Sequence, residues 1–239
     1  FFISFFSKHS DNYILECLKY YFVFVLHYMR RRNKMKYEWR KKDKEMYLPK
    51  DKPEIVSVPN FKFFMIDGEG NPNSEEFSEA IGVLYSLAYA IKMLPKKGVV
   101  PEGYFDYTVF PLEGVWDLAE EARTLCSLDK NSLIYTIMIR QPDFVTDELA
   151  NTVIESVKLK KPHRLLDKVK YNSLEDGHCL QMLHIGSYDD EPKSFSIMED
   201  YCRQNNLKRI AKIHREIYIS DFRKTQIDKL KTVLRFKIE

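Results

Sequence analysis

"FFMIDGEGNPNSEEF", Phe63–Phe77, and "CLQMLHIGSYDDEPKSF", Cys179–Phe195, decide the fold between them. Each reads as a strand that stops at a glycine, a polar loop, and a helix with a Phe on its first turn. A chain that gives this order twice is duplicated. Outward from the first copy, "EIVSVPNFKFFMIDGEG" (54–70) reads as a partly alternating strand ending at Gly68 and Gly70. In the helix that follows, Asn73 or Ser74 is placed to cap and Glu75 and Glu76 supply first-turn acids, although Phe77 stands where a full capping box needs Glu or Gln. Phe77, Ile81, Leu84, Ala88 and Ile91 recur at helical spacing, which predicts a face packed on a sheet, and "PKKG" at 95–98 ends the helix.

Two further strands are predicted, in "YFDYTVFPLEGVWDL" (104–118) and "LIYTIMIRQPDFV" (133–145). A second helix follows in "TDELANTVIESVKLKK", capped by Thr146 and rich in Lys at its end. The second copy continues as a helix in "EPKSFSIMEDYCRQNNL" and closes with strands in "REIYISDF" and "TVLRFKIE". The expected fold is therefore α+β, two strand-helix-strand-strand modules with a ligand groove between them. Residues 51–145 form the first module, 146–170 a connecting helix and linker, and 171–239 the second. Pseudo-symmetric interfaces of this kind favour small-molecule pockets.

At 239 residues, 44% hydrophobic and 31% charged, the chain has the composition of a folded globular protein. Its 14% aromatic content is high, and eight glycines are few for a nucleotide-binding α/β enzyme. Cys17, Cys126, Cys179 and Cys202 show no metal spacing, so they read as reduced thiols of a cytoplasmic protein with no metal site. The basic run "RRRNKMKYEWRKKDK" (30–44) contains Tyr37 and Trp39, which suit base stacking. No nucleic-acid reading motif follows it, and a solvated basic lead-in is the expectation instead. Residues 1–34 differ in texture, crowded with Phe, Tyr and Ile. Glu16 and Lys19 interrupt "YILECLKYYFVFVLHYM", so no stable membrane insertion is expected. This segment reads as an upstream extension before Met35, poorly ordered up to about that residue; an amphipathic anchor lying on a membrane surface is the alternative.

The closing stretch "HREIYISDFRKT" (214–225) sets a carboxylate, Glu216, in an alternating strand. Alternation sends Glu216, Tyr218 and Ser220 to one face and Ile217 and Ile219 to the other. Glu216 is either a solvated or salt-bridged structural acid or the polar anchor of a pocket. There is no GxSxG, P-loop or HExxH, and "GEGNPN" lacks the third glycine of a dinucleotide fingerprint, so neither covalent catalysis nor a nucleotide cofactor is expected.

Six stretches in order, "GEGNPNSEEF", "LYSLAYAIK", "PLEGVW", "MIRQPDFV", "LHIGSYDDEP" and "EIYISDFRKT", resemble the GyrI-like small-molecule-binding proteins. The likeness is to their stand-alone branch, which includes cyclopropanoid hydrolases and carries no DNA-binding domain, and it runs from about Met35 to the C-terminus. The resemblance implies a pocket between the modules, an acid in the "E-x-Y" strand and an aromatic cage. Carried over, Glu216 and Tyr218 occupy the acid motif, Trp116 sits in "PLEGVW", and Tyr85 and Tyr89 stand one turn apart on the helix. Tyr135 stands where relatives carry Trp, which implies a smaller or more polar cage.

The expected ligand is a hydrophobic small molecule. The expected activity is binding of xenobiotics with hydrolysis of electrophilic cyclopropanes, a detoxification; a non-catalytic module that binds or senses lipophilic cations is the alternative. Flat rings bind a polycyclic substrate and stabilise positive charge at carbon, while Glu216, Glu113 or His184 activates water. Each residue also has a plainer reading. One of Tyr85 and Tyr89 packs the core, Trp116 is a core anchor, His184 is a structural imidazole, and Glu113 sits in a turn.

Overall fold

The computed structural model describes residues 36–124 and 129–239. Cys17, Cys126, the Met35 boundary and the first part of the basic run lie outside the described residues. Contacts divide the chain into two units. In the smaller, the Tyr37 N–H donates to the Asp106 carbonyl (2.6 Å), the Thr108 N–H donates to the Tyr37 carbonyl (2.8 Å), and the Tyr37 and Phe105 rings stand 5.4 Å apart. Everything below belongs to the larger unit, Glu38–Tyr104 with Val109–Glu239.

Its elements are two short helices, α1 (Trp39–Lys42) and α2 (Lys44–Tyr47), then β1 (Glu54–Val58), β2 (Phe61–Glu69), α3 (Glu75–Lys92), β3 (Leu112–Leu118), β4 (Leu133–Arg140) and α4 (Asp147–Lys160). The second half adds β5 (Lys170–Leu174), β6 (Gly177–Ile185), α5 (Glu191–Gln204), β7 (His214–Tyr218) and β8 (Lys231–Lys237). All eight strands form one antiparallel sheet in the order β1-β6-β8-β7-β3-β4-β2-β5. The α+β fold built from duplicated modules is the one expected. Among the described residues no helix is long and apolar enough to cross a membrane.

The sequence reading joined residues 54–70 into one strand and gave no strand at 170–174. The structure corrects both points. Pro59 has no N–H to donate to a ladder and ends β1 at Val58. The chain then crosses over, so β1 pairs with β6 of the second module while β2 pairs with β4 of the first. The polar β5 does the reverse and pairs with β2. Each module thus lends its first strand to the other. The two halves correspond at one constant offset: Glu54–Val58 to Lys170–Leu174, Phe61–Glu69 to Gly177–Ile185, Gly70 to Gly186, and Glu75 to Glu191 at the helix starts. The pseudo-twofold axis runs through the β3–β7 seam, where Gly114 stands opposite Glu216.

On α3 the hydroxyl of Ser74 caps the Phe77 N–H (3.2 Å), and on α4 Thr146 caps Leu149 in the same way (3.2 Å). The α3 face seated on the sheet is Phe77, Ala80, Val83, Leu84, Leu87, Ala88 and Ile91, with Ile81 only partly covered. Under α5, Leu180, Met182, Leu234 and Phe236 of the sheet pack on Met198 and Cys202. Cys179 and Cys202 are buried free thiols.

The other face of the sheet is also covered, which is why β2 has four consecutive buried residues rather than a clean alternation. There Phe63, Met65 and Met138 pack together, and α1 and α2 supply a polar seal. Trp39 is buried rather than available to bases: its indole N–H donates to the Val109 carbonyl (3.0 Å) and its ring meets Tyr47. The Tyr47 hydroxyl donates to Glu113 (3.1 Å), and Arg235 donates to the Met46 carbonyl (2.5 Å). Residues 39–47, part of the basic lead-in, are therefore integral to this face.

Candidate functional site

The site is built at the β3–β7 seam, on the face that carries α3 and α5. Alternation places His214, Glu216 and Tyr218 on this side, and the register sets Gly114 opposite Glu216 and Trp116 opposite His214. The Tyr218 hydroxyl donates to Glu216 Oε2 (2.7 Å) and accepts from the Trp116 indole N–H (2.9 Å). His214 Nε2 lies 3.2 Å from Glu216 Oε1. Burial, and next the Glu216 charge, push the Tyr218 phenol well above its usual range, so it remains a proton donor.

Aromatic rings wall in this chain of hydrogen bonds. Trp116 contacts Tyr135 (5.2 Å) and Phe77 (5.8 Å), Phe77 meets Tyr135 edge-on (5.0 Å), and Tyr188 meets Tyr218 edge-on (6.0 Å). Two glycines make room for rings lying against the sheet. A Cβ on Gly68 would fall 2.5 Å from the Tyr135 ring, and one on Gly114 would fall 2.7 Å from Trp116 Nε1.

A second acid completes the site. Glu191 opens α5, is only 6% exposed, and hydrogen-bonds to the Glu216 side chain, while its Oε1 is buried with no partner. Burial first, and then the Glu216 charge, raise its pKa to about 10, so Glu191 keeps its proton through neutral pH. The native state thus holds a proton that the unfolded chain releases near 4.5. The stability from this proton is full below that value and is lost as pH rises toward 10. Glu191→Gln is expected to flatten that decline, so its advantage over the parent in urea midpoint should be larger at pH 9 than at pH 5. Equal differences at both pH values would contradict the assignment.

Of the residues singled out in the sequence, Glu216, Tyr218, Trp116 and Tyr135 come together here. Tyr85 reaches the backbone of Leu112, the β3 residue directly before the seam, and burial raises its phenol. Tyr89 pairs with Tyr85 (6.3 Å) but is 53% exposed. His184 shares the face, yet both ring nitrogens are engaged, Nδ1 with Ser194 Oγ (2.9 Å) and Nε2 with the Ser187 carbonyl (2.9 Å), and they tie the start of α5 to the sheet. Glu113 lies on the opposite face, ion-paired to Arg215 (2.8 Å). Alternation forbids it from meeting Glu216. The sequence reading missed Glu191, Tyr188, Phe77 and His214. Matching Glu75 to Glu191 would have drawn attention to the first of these, but a first-turn acid reads as a partner for the helix dipole.

Two concavities of about 410 and 350 Å³ are lined by neither Glu191 nor Glu216. The larger is rimmed by Arg203, Lys208, Arg209 and Lys212, each already paired with an acid. The smaller backs onto His184. Chemistry rather than hollow volume marks the seam as the site, because its rings pack over Glu216 and leave it 9% exposed.

The description "GyrI-like small molecule binding domain" matches residues 51–239. The chain belongs to the GyrI-like family. A GyrI-like site binds small molecules, in keeping with the aromatic and acidic seam. Solved structures similar to this GyrI-like chain include a hydrolase from Listeria innocua, 35% identical with a TM-score of 0.77, over 85% of this chain and 100% of that one. An uncharacterized conserved protein from the same organism is 37% identical with a TM-score of 0.79, over 85% and 100% of the two chains. No curated protein matches.

Proposed function

We propose that this GyrI-like protein takes hydrophobic xenobiotic molecules into the aromatic seam and hydrolyses those that carry an electrophilic cyclopropane, as a cytoplasmic detoxifying enzyme. The observation that carries the reading is the hydrogen-bonded line Trp116–Tyr218–Glu216, with a neutral second acid at its end. Trp116, Tyr135, Phe77 and Tyr188 offer flat apolar area and negative ring faces, which favour a polycyclic ligand and positive charge developing at carbon. The likeness to a Listeria innocua protein described as a hydrolase supports turnover rather than storage.

In the reaction, water attacks the ring carbon and its oxygen bonds there. The strained carbon–carbon bond breaks, and its electron pair passes to the conjugated carbonyl oxygen, which takes up a proton. Glu216 accepts the proton of the attacking water. Tyr188, whose phenol is pushed up to about 12 by burial and then by Glu216, keeps its proton through neutral pH and serves as a donor to the developing oxyanion. Because the rings cover the acid, they part to admit the ligand.

The test is time-resolved mass spectrometry of the purified protein with a cyclopropane-bearing alkylating compound. A product one water heavier, formed faster than in buffer and slowed in Trp116→Phe, is the expected result. Binding without any change in mass would leave a non-catalytic binding module, and neither binding nor product would overturn the reading altogether.

A further inference from the structure

We propose that Glu191 and Glu216 form an acid–base pair that adds water across a strained carbon–heteroatom bond, which makes aryl-substituted epoxides and aziridines substrates of this site. The inference rests on the ligand-binding reading of the same seam and extends it to a second bond type.

The geometry supplies three things. First, the two carboxyl groups touch, and two carboxylates in contact in a buried place cannot both be ionised, so the pair retains one proton. Second, their roles are already divided. Glu216 accepts from Tyr218 and lies within bonding distance of His214, whereas Glu191 Oε1 is buried without a partner. A buried carboxyl group that keeps its proton, beside one that accepts hydrogen bonds, is placed to be the acid of a pair in which the other is the base. Third, no Lys or Arg among the described residues hydrogen-bonds to either acid. Arg215 and Arg235 are directed to the other face, where they bond to Glu113, Asp176 and Gln181.

An acid and a base in contact suit a bond whose two ends are adjacent atoms. In a three-membered heterocycle the attacked carbon and the leaving heteroatom are neighbours, so both carboxyl groups reach the reacting atoms at once. Water oxygen bonds to the benzylic carbon, the carbon–heteroatom bond breaks, and its electron pair stays on the heteroatom, which takes the Glu191 proton. Glu216 receives the proton from water and returns it to Glu191 through their hydrogen bond, which restores the starting state. The aromatic wall stabilises positive charge at the benzylic carbon.

The groups that act electrostatically on Glu191 are Glu216 and Tyr218 from β7, and Tyr188 and Asp189 from the turn before α5. His184, on β6, is engaged by Ser194 and Ser187.

The probe is styrene oxide, incubated with the full chain and followed by mass spectrometry for the diol. Parent protein should form the diol above the buffer rate, and Glu191→Gln should lower that rate by about a hundred- to ten-thousand-fold. The parent's rate should fall in alkaline solution as Glu191 loses its proton, and the variant should lack that limb. In a single turnover in 18O-labelled water, the label should enter the diol directly. Label found first in the Glu216 carboxylate would overturn its role as base. An unchanged rate in Glu191→Gln would overturn the pair, as would styrene oxide that binds without turnover, and in that case cyclopropane turnover would leave the broader reading standing. Failure of styrene oxide and of the cyclopropane compound to bind at all would overturn both.

Discussion

Arg215→Met should cost about 3–5 kcal/mol of folding stability, the usual price of stranding one partner of a buried ion pair. Arg215 is the hinge of the polar network on the face away from the site. It donates to Glu113 Oε2 (2.8 Å) and Asp176 Oδ1 (3.1 Å), and its Nε makes an ionic contact with Asp176 Oδ2 (3.0 Å). Of its hydrogen bonds Glu113 would keep the one from Tyr47, whose phenol is already raised by burial and by Glu113, in a setting where Glu113 is 1% exposed. Urea denaturation gives the loss as a lower midpoint at unchanged slope. Replacing Glu113 by Leu in the same chain should recover much of it, because an apolar pair avoids the desolvation of two charges. A loss below about 1 kcal/mol in the single variant would mean that water reaches Glu113.

Glu216→Gln carries the largest expected effect on activity. Gln keeps the shape of the side chain and an acceptor for the Tyr218 hydroxyl but cannot take a proton, so turnover should fall by about a hundred- to ten-thousand-fold. Affinity for a neutral ligand should change far less, since the aromatic wall is untouched. A second consequence separates catalysis from packing. With the Glu216 charge removed, one of the two leading reasons for the raised Glu191 pKa disappears, and any alkaline limb in ligand binding should move to lower pH. Full turnover in the variant would remove Glu216 from the chemistry.

How much of this was legible in the chain differs from element to element. The duplicated order, the α3 and α4 caps and the Phe-bearing helix starts were readable because they depend on neighbours within a few residues. Glu216, Tyr218 and Trp116 were readable as candidates because alternation along one strand and a family resemblance place them. The exchange of β1 and β5 was not readable. Their pairing with β6 and β2 depends on where the chain goes after Pro59 and on which edge remains open, and periodicity carries no record of either. Glu113 shows the same limit from the other side. It stands beside Gly114 in sequence, and only the location of Arg215 and Tyr47 reveals that its charge is fully occupied.

The sequence by itself determined the fold class, the acid strand and, of the aromatic wall, Trp116 and Tyr135, since local propensity, alternation and repetition are properties of nearby residues. Only the tertiary structure decided which carboxyl groups face one another. Glu191 and Glu216 lie on different elements and meet because the pseudo-twofold axis sets β7 at the centre of the sheet with the start of α5 above it. Proton sharing between two acids falls off steeply with distance and burial, and both are set by packing rather than by order along the chain.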